Sequence, residues 1–385
     1  MTTTYTETEP AFIPVQTRSE RPRSYDPAAF ERPTGREVNW KHTPVDRLAR
    51  LFDDAAGDPD AVTVRVDGGQ APALAVGDAP RGAAFEPEDL SAAIAWAQSP
   101  AAHHIVVDGE PAEPLLVDIV GRGGVAHEHL VIEARANAHG TVLLRHHGTA
   151  QLAENVEIVV ADGAHLEVVT VQQWDDDAVH AASHQAVVGR DATLRHIVVS
   201  FGGGVVRVNP SVRLQGAGSR AELYGIGYSD SGQHLESQVY LHHEGADTTG
   251  DVLYKGALQG AGARTVWIGD VLIGPDAVGT DSYEANRNLV LTEGARAESI
   301  PNLEIETGDI RGAGHASATG RFDDEQLFYL QARGISEDEA RRLVVLGFLS
   351  EIVQRIGLPE LEAELIQTIE AELAQGAQSG DGAPA

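Results

Sequence analysis

Cysteine is absent from all 385 residues, methionine occurs once, aromatics make up 5%, and lysine is confined to Lys41 and Lys255. Without thiols the chain supplies no disulfide, no cysteine-based zinc site, no cysteine nucleophile and no thiolate to an iron–sulfur cluster. Positive charge is scarce too: 28 bases stand against 58 acids, a formal net charge of −30. Binding a phosphate backbone demands clustered Lys and Arg, so no nucleic-acid partner is expected. Long apolar runs are also missing. The stretch Leu343–Leu349 is far short of the roughly 20 residues a membrane span needs. Met1–Pro14 carries Thr and Glu where a secretory leader has Arg or Lys followed by an apolar run. The expectation is a soluble cytoplasmic protein with no membrane partner.

What is present divides the chain into parts. Residues 1–34, rich in Thr, Pro, Arg and Glu, read as a flexible lead. Residues 35–103 read as a mostly helical N-terminal region. Val45, Leu48, Leu51 and Phe52 fall at helical spacing in Pro44–Asp54, a second helix fits Glu86–Ala97, and Ala61–Val66 alternates like a strand. Over 104–322 the texture changes to short Val/Ile/Leu runs separated by turn phrases such as Asp162-Gly-Ala, Gly189-Arg-Asp-Ala, Gly216-Ala-Gly and Glu293-Gly-Ala. More than a dozen strands without intervening helices exclude a doubly wound α/β fold. A repeated small turn with a short buried strand is what a β-solenoid needs, since each coil buries its apolar face on its neighbour. A β-sandwich is the competitor, but more than 200 residues is long for one.

Residues 323–374 are helical in pattern and 375–385 read as a disordered tail. Asp323–Gln326 and Ser336–Glu339 match the capping box, and Gly334 sits where a left-handed C-cap belongs. Ala340, Leu343, Val344, Gly347, Phe348, Ile352, Val353 and Ile356 form one apolar stripe. Pro359 opens a further helix with Leu361, Leu365, Ile366, Ile369 and Leu373 on one face.

The common catalytic motifs fail: there is no G-x-x-x-x-G-K-[ST], no H-E-x-x-H and no G-x-S-x-G. Of 16 histidines, 14 lie between His103 and His243. Adjacent pairs such as His146-His147 point to opposite strand faces, so most are expected to face solvent or cap turns. His127 and His129 share a face, for which a solvated strand is favoured over a metal. Asp175-Asp-Asp177 could belong to the calcium site of a solenoid carbohydrate-active enzyme, but a charged turn is favoured and no export signal is seen. His315 stands alone among small residues in Gly312-Ala-Gly-His-Ala-Ser-Ala-Thr-Gly320, where another backbone or a ligand can approach closely. From spacing alone, a structural role at the solenoid end is favoured.

The run from Gly312 to Ile335 resembles the C-terminal signature of the SufB/SufD family, the iron–sulfur cluster assembly scaffolds of the Suf system. Gly35–Pro44, Tyr254–Gly260, Asn286–Leu291 and Pro301–Ile305 match the family as well. The resemblance implies a right-handed parallel β-helix core, flanked by an N-terminal α/β part and C-terminal helices. It implies a non-catalytic subunit working with an ABC-type ATPase, SufC, and a SufB-type paralogue. The ATPase would dock on the C-terminal helices, for which Phe328, Tyr329, Arg333, Gly334 and Phe348 are the candidate contacts. The paralogue would join through the β-helix end, and a homodimer is open to the isolated chain. Where a SufB-type chain carries a Cys this one has Ala295, and where that chain has a His-Glu pair this one has His315-Ala316. The stretch His243–Thr248 also lacks the Pro and the Cys that many SufD-type chains have there, and Ala313 stands where others have a Cys. The pattern is that of the SufD type. His315 is the one metal-ligand candidate carried over, in an iron or cluster site shared with the partner. No cofactor is expected on this chain alone.

Overall fold

The computed structural model describes residues 21–67, 71–322 and 324–380. Its strands in chain order are β1 (Val62–Val66), β2 (Ala73–Ala75), β3 (Ala101–Val107), β4 (Leu115–Ala134), β5 (His139–Val160), β6 (His165–Trp174), β7 (Val179–Val188) and β8 (Thr193–Ser200). They continue with β9 (Val205–Leu214), β10 (Arg220–Ser229), β11 (His234–His243), β12 (Thr249–Leu258), β13 (Arg264–Ile273), β14 (Thr280–Val290), β15 (Arg296–Ile305) and β16 (Ile310–Arg321). The helices are α1 (Leu90–Gln98), α2 (Asp324–Gln331), α3 (Glu337–Val353) and α4 (Pro359–Gly380).

From β3 onward every pairing between successive coils is parallel. Two ladders diverge from the long strand β5, whose first half pairs β6 and whose second half pairs β7. One ladder then runs β6-β8-β10-β12-β14-β16 and the other β7-β9-β11-β13-β15. This is a mainly β, parallel β-solenoid of about eight turns, as the turn phrases and strand runs predict. Matched positions on neighbouring coils are 26 residues apart at Val179 and Val205 and 32 apart at Arg264 and Arg296. The turns stack as well. Asp191 has φ +54° and Gly218, one coil on, has φ +72°; a Cβ on Gly218 would lie 2.4 Å from Asp191 Oδ1. A residue with no Cβ is therefore required there.

Alternation along each strand sends one set of side chains inside the coils and the other outside. The inside is built by Val142, Leu144, Leu152, Val156, Leu166, Val168, Leu194, Val208, Leu241 and their neighbours, nearly all fully buried. The outside of the β6-to-β16 ladder is apolar too. Val169, Ile197, Tyr224 and Ile226 pack there against Val345, Leu349, Ile352, Leu365 and Ile369 of α3 and α4. Lys255 pins this layer, donating to the Phe348 carbonyl at 2.6 Å and pairing with Glu351 at 2.7 Å. Ser336 caps α3 through the Glu339 N–H at 3.3 Å, and Gly334 has φ +84°, as the capping signals predict. The α3 stripe is rotated from its expected phase. Leu343 is 43% exposed while Val345 and Leu349 are fully buried, and on α4 Ile366 is exposed. The Asp323–Gln326 box includes Asp323, which lies outside the described residues.

The other ladder is covered by the N-terminal part. The short helix expected over Pro44–Asp54 is a 3-10 helix over Val45–Phe52, and α1 begins at Leu90, later than expected, behind the Asp89 cap. Trp40, Leu48, Leu51, Phe52, Leu90 and Ile94 pack on Ala153, Val179, Ala181 and Val205. Arg207, buried on that ladder, joins Asp89 at 3.1 Å and Glu236 at 3.1 Å beneath the Trp40 ring. Burial raises the Glu236 carboxyl, but His234, Arg207 and Gln238 together outweigh it and bring it to about 2. Residues 21–34, the described part of the expected lead, are tied to this layer. Tyr25 Oη donates to the Phe85 carbonyl at 2.6 Å, and Arg23 pairs with Glu88 at 3.2 Å. No helix among the described residues is long and apolar enough to cross a membrane.

Candidate functional site

The two ends of the solenoid differ. β1 and β2 add antiparallel strands beside the first coil, whereas β15 and β16 end their ladders with largely exposed or half-exposed residues. His315 lies on this last coil. Register places Ala313, His315, Ser317 and Thr319 of β16 opposite Ser282, Glu284, Asn286 and Asn288 of β14. Those four β14 residues are buried, so His315 continues the inside row of the coils, and at the open end its side chain is 44% exposed.

Beneath it, Glu284 is 1% exposed, with Oε1 3.8 Å from His315 Nδ1. Neither Glu284 carboxylate oxygen has a side-chain hydrogen bond, and only the Asn302 backbone N–H approaches them. Burial first, and the Asp270 carboxylate second, push its carboxyl up to about 8, against a smaller opposing contribution from the Asn302 N–H. Gly269 faces it, and a Cβ there would meet Glu284 Oε2 at 2.3 Å. Asn286 and Asn288 are satisfied internally, through the Tyr254 carbonyl at 3.1 Å and the Asn288-to-Asn286 bond at 2.7 Å. The arrangement is a half-exposed imidazole over a buried carboxyl at an uncovered sheet edge. A protonated Glu284 donates a hydrogen bond and an ionised one attracts a cation. Glu284 escaped the sequence reading. A coil step of 31 residues back from His315 would have found it.

The other expected contacts lie elsewhere. Phe328 is 73% and Tyr329 57% exposed on α2, and the Arg333 guanidinium sits 3.6 Å above the Tyr329 ring centre. Gly334 ends that turn, while Phe348 is half-buried, with the Lys255 ammonium 4.8 Å above its ring. The structure does not bring this group to His315. The acids Asp175–Asp177 sit in an exposed turn, where Asp177 accepts from Thr149 and Asp176 from Gln233.

Seven of the histidines depart from the expectation of solvent-facing groups. His129, His146, His180, His184, His196, His234 and His243 are all buried, not facing solvent. His129 lies beneath Phe85 and Trp96 with Glu157 at 3.5 Å, so the His127–His129 face is covered by the N-terminal layer, not solvated. His146, His180, His184 and His196 share the parity of Leu144, Leu152, Ala182 and Leu194, which places them inside the coils. Burial drives His196 down to about 4 and His243 down to about 3. Adjacent pairs do point to opposite faces, but the inward members of successive strands meet. Parity against apolar neighbours was the usable signal.

Residues 117–348 match the family description "SUF system FeS cluster assembly, SufBD core domain". An iron–sulfur cluster assembly SufBD family protein of Mycobacterium leprae (strain TN) is 48% identical over 363 residues, covering 91% of this chain and 93% of its own length. A Mycobacterium tuberculosis (strain ATCC 25618 / H37Rv) protein of the same family is 47% identical, covering 91% of each. The iron–sulfur cluster assembly protein SufD of Escherichia coli (strain K12) is 28% identical over 391 residues, covering 90% of each. Matching over the solenoid that carries His315, with close relatives along most of its length, this chain belongs to the SufBD family of iron–sulfur cluster assembly proteins.

Proposed function

We propose that the chain is the SufD-type, non-enzymatic subunit of a SufB–SufC–SufD scaffold in the cytoplasm. Its open solenoid end meets a SufB-type paralogue, and His315 contributes one ligand to an iron or nascent-cluster site shared with that chain. The observation that carries this reading is the uncovered last coil, with a half-exposed imidazole on its inner row, in a chain with no cysteine. A single imidazole makes a weak site, so thiolates must come from the partner. Iron and the cluster are cargo here, held only in the complex.

The C-terminal helices, 323–374, are the proposed seat of the ATPase, with Phe328, Tyr329 and Arg333 as its exposed contacts and Phe348 packed beneath. Lys255 supports a mechanical reading. It bonds α3 to the coil strand β12, so displacement of the helices is felt by the solenoid. Co-expression with the ATPase and the SufB-type chain, followed by co-purification and iron and sulfide analysis, tests the assignment. A ternary complex with cluster is expected; a chain that purifies alone and binds neither partner overturns it.

A further inference from the structure

Inside the first coils, away from the open end, His146 and Glu154 of β5 and His180 of β7 converge. All three are at most 1% exposed, and one ligand atom from each lies within 4.8 Å of the others. Among the described residues this is the one such group of three.

The hydrogen bonds around the group fix which imidazole nitrogens face inward. The Trp174 Nε1–H can only donate, and it lies 2.9 Å from Gln172 Oε1, so that atom is an acceptor. His180 Nδ1 is 2.9 Å from the same oxygen, closer than the 3.3 Å to Trp174 Nε1, and on that shorter contact is assigned the proton. His146 Nδ1 faces the Val171 carbonyl at 3.3 Å and donates likewise. Each ring thus presents an Nε2 lone pair to Glu154, at 3.0 Å for His146 and 3.3 Å for His180, both measured to Oε2. His180 Nε2 receives no hydrogen bond from the protein. Two imidazole lone pairs and a carboxylate converge, and acceptors brought together in a dry core require a cation. A proton on His146 Nε2 serves one edge of the triangle; a metal ion serves all three.

The dimensions suit a metal. With metal–ligand distances of about 2.0–2.1 Å, the edge of a coordination tetrahedron is about 3.3 Å, close to the two measured separations. Both rings are held by their outer nitrogens, as metal-ligating histidines are. Two imidazoles and a carboxylate select a first-row divalent cation such as Zn(II) or Fe(II) over Ca(II) or Mg(II). We propose that His146, Glu154 and His180 form a buried divalent transition-metal site that fastens the two ladders of the solenoid where they part in β5. It needs no partner chain and is separate from the open end.

The test is Co(II) and Zn(II) binding by the full chain, refolded in the presence of one metal and then freed of excess. The expected results are about one tightly held metal per chain, intense tetrahedral ligand-field bands with Co(II), and a melting temperature raised by Zn(II). Glu154→Gln and His180→Gln should each weaken binding by more than about tenfold, the loss caused even by removing a ligand's hydrogen-bond partner. His165→Ala, at an exposed imidazole outside the group, should leave bands and stoichiometry unchanged. The proposal is overturned if wild-type chain retains no metal, or if the bands survive Glu154→Gln and His180→Gln. Should those variants fail to fold, the wild-type Co(II) spectrum decides alone, since octahedral bands or none are incompatible with this site.

Discussion

The same inner row of the solenoid carries two clusters of histidine with glutamate, and they are built in opposite ways. Around Glu154 both imidazoles are sealed and held by Gln172 and the Val171 carbonyl. Around Glu284 the lone imidazole is half exposed, 3.8 Å away, and the carboxylate oxygens have no side-chain hydrogen bond. The chemistry of the residues is nearly the same, so position along the stack makes the difference. An interior coil has a neighbour on each side to complete its polar groups. Glu284 on β14 is covered only by the terminal strand β16, and its unfinished carboxyl lies next to the open end. The first cluster belongs to the fold and the second to assembly.

The largest expected effect breaks the sealed cluster. Glu154→Ala leaves two buried imidazoles facing a void without their carboxylate, and removing one partner of a buried ionic group costs about 3–5 kcal/mol. Urea denaturation at neutral pH should show that loss. A change below about 1 kcal/mol, within the range of ordinary surface substitutions and single hydrogen bonds, would mean that the cluster does not hold the coils together.

Glu284→Gln should act in the opposite direction. With its folded carboxyl at about 8, above the ordinary carboxylate range, the protonated form favours folding. That contribution is complete below about pH 4.3 and is lost as pH rises through about 8. Glutamine cannot ionise, so the variant should match wild type near about pH 4 and exceed its stability near about pH 9. Paired denaturation curves at the two pH values check the sign. Equal stability at both would show that Glu284 is already completed within the chain, and the contrast with Glu154 would vanish.

How much of this was legible in the sequence follows from the same stacking. The coil architecture was, because turn phrases such as Gly189-Arg-Asp-Ala and Gly216-Ala-Gly mark each corner and short apolar runs lie between them. Gly334 and Ser336 announced their caps. The phase of α3 was not legible. Leu343 through Leu346 are all apolar, so stripes in two phases fit the sequence, and only packing on Ile197, Tyr224 and Ile226 selects the one containing Val345 and Leu349. The clusters were hidden for a different reason. Their members are neighbours across coils, so His146 and His180 are 34 positions apart and His315 and Glu284 are 31 apart. A scan for short motifs sees neither pair. Counting parity against Leu144, Leu152 and Ala182 would have turned the inward histidines from presumed surface groups into core ones.

The smallest effect on the chain itself belongs to His315. Half exposed and without a close partner, its replacement by alanine should change stability by no more than about 0.5 kcal/mol. If the open end is a shared site, the same substitution should leave the complex with the SufB-type chain and the ATPase assembled, yet lower its iron and sulfide content. The two measurements belong together. Lost stability would make His315 a structural cap like the sealed histidines. Unchanged stability with unchanged iron content would remove it from the shared site. Unchanged stability with lowered iron content separates a residue that serves assembly from one that serves the fold.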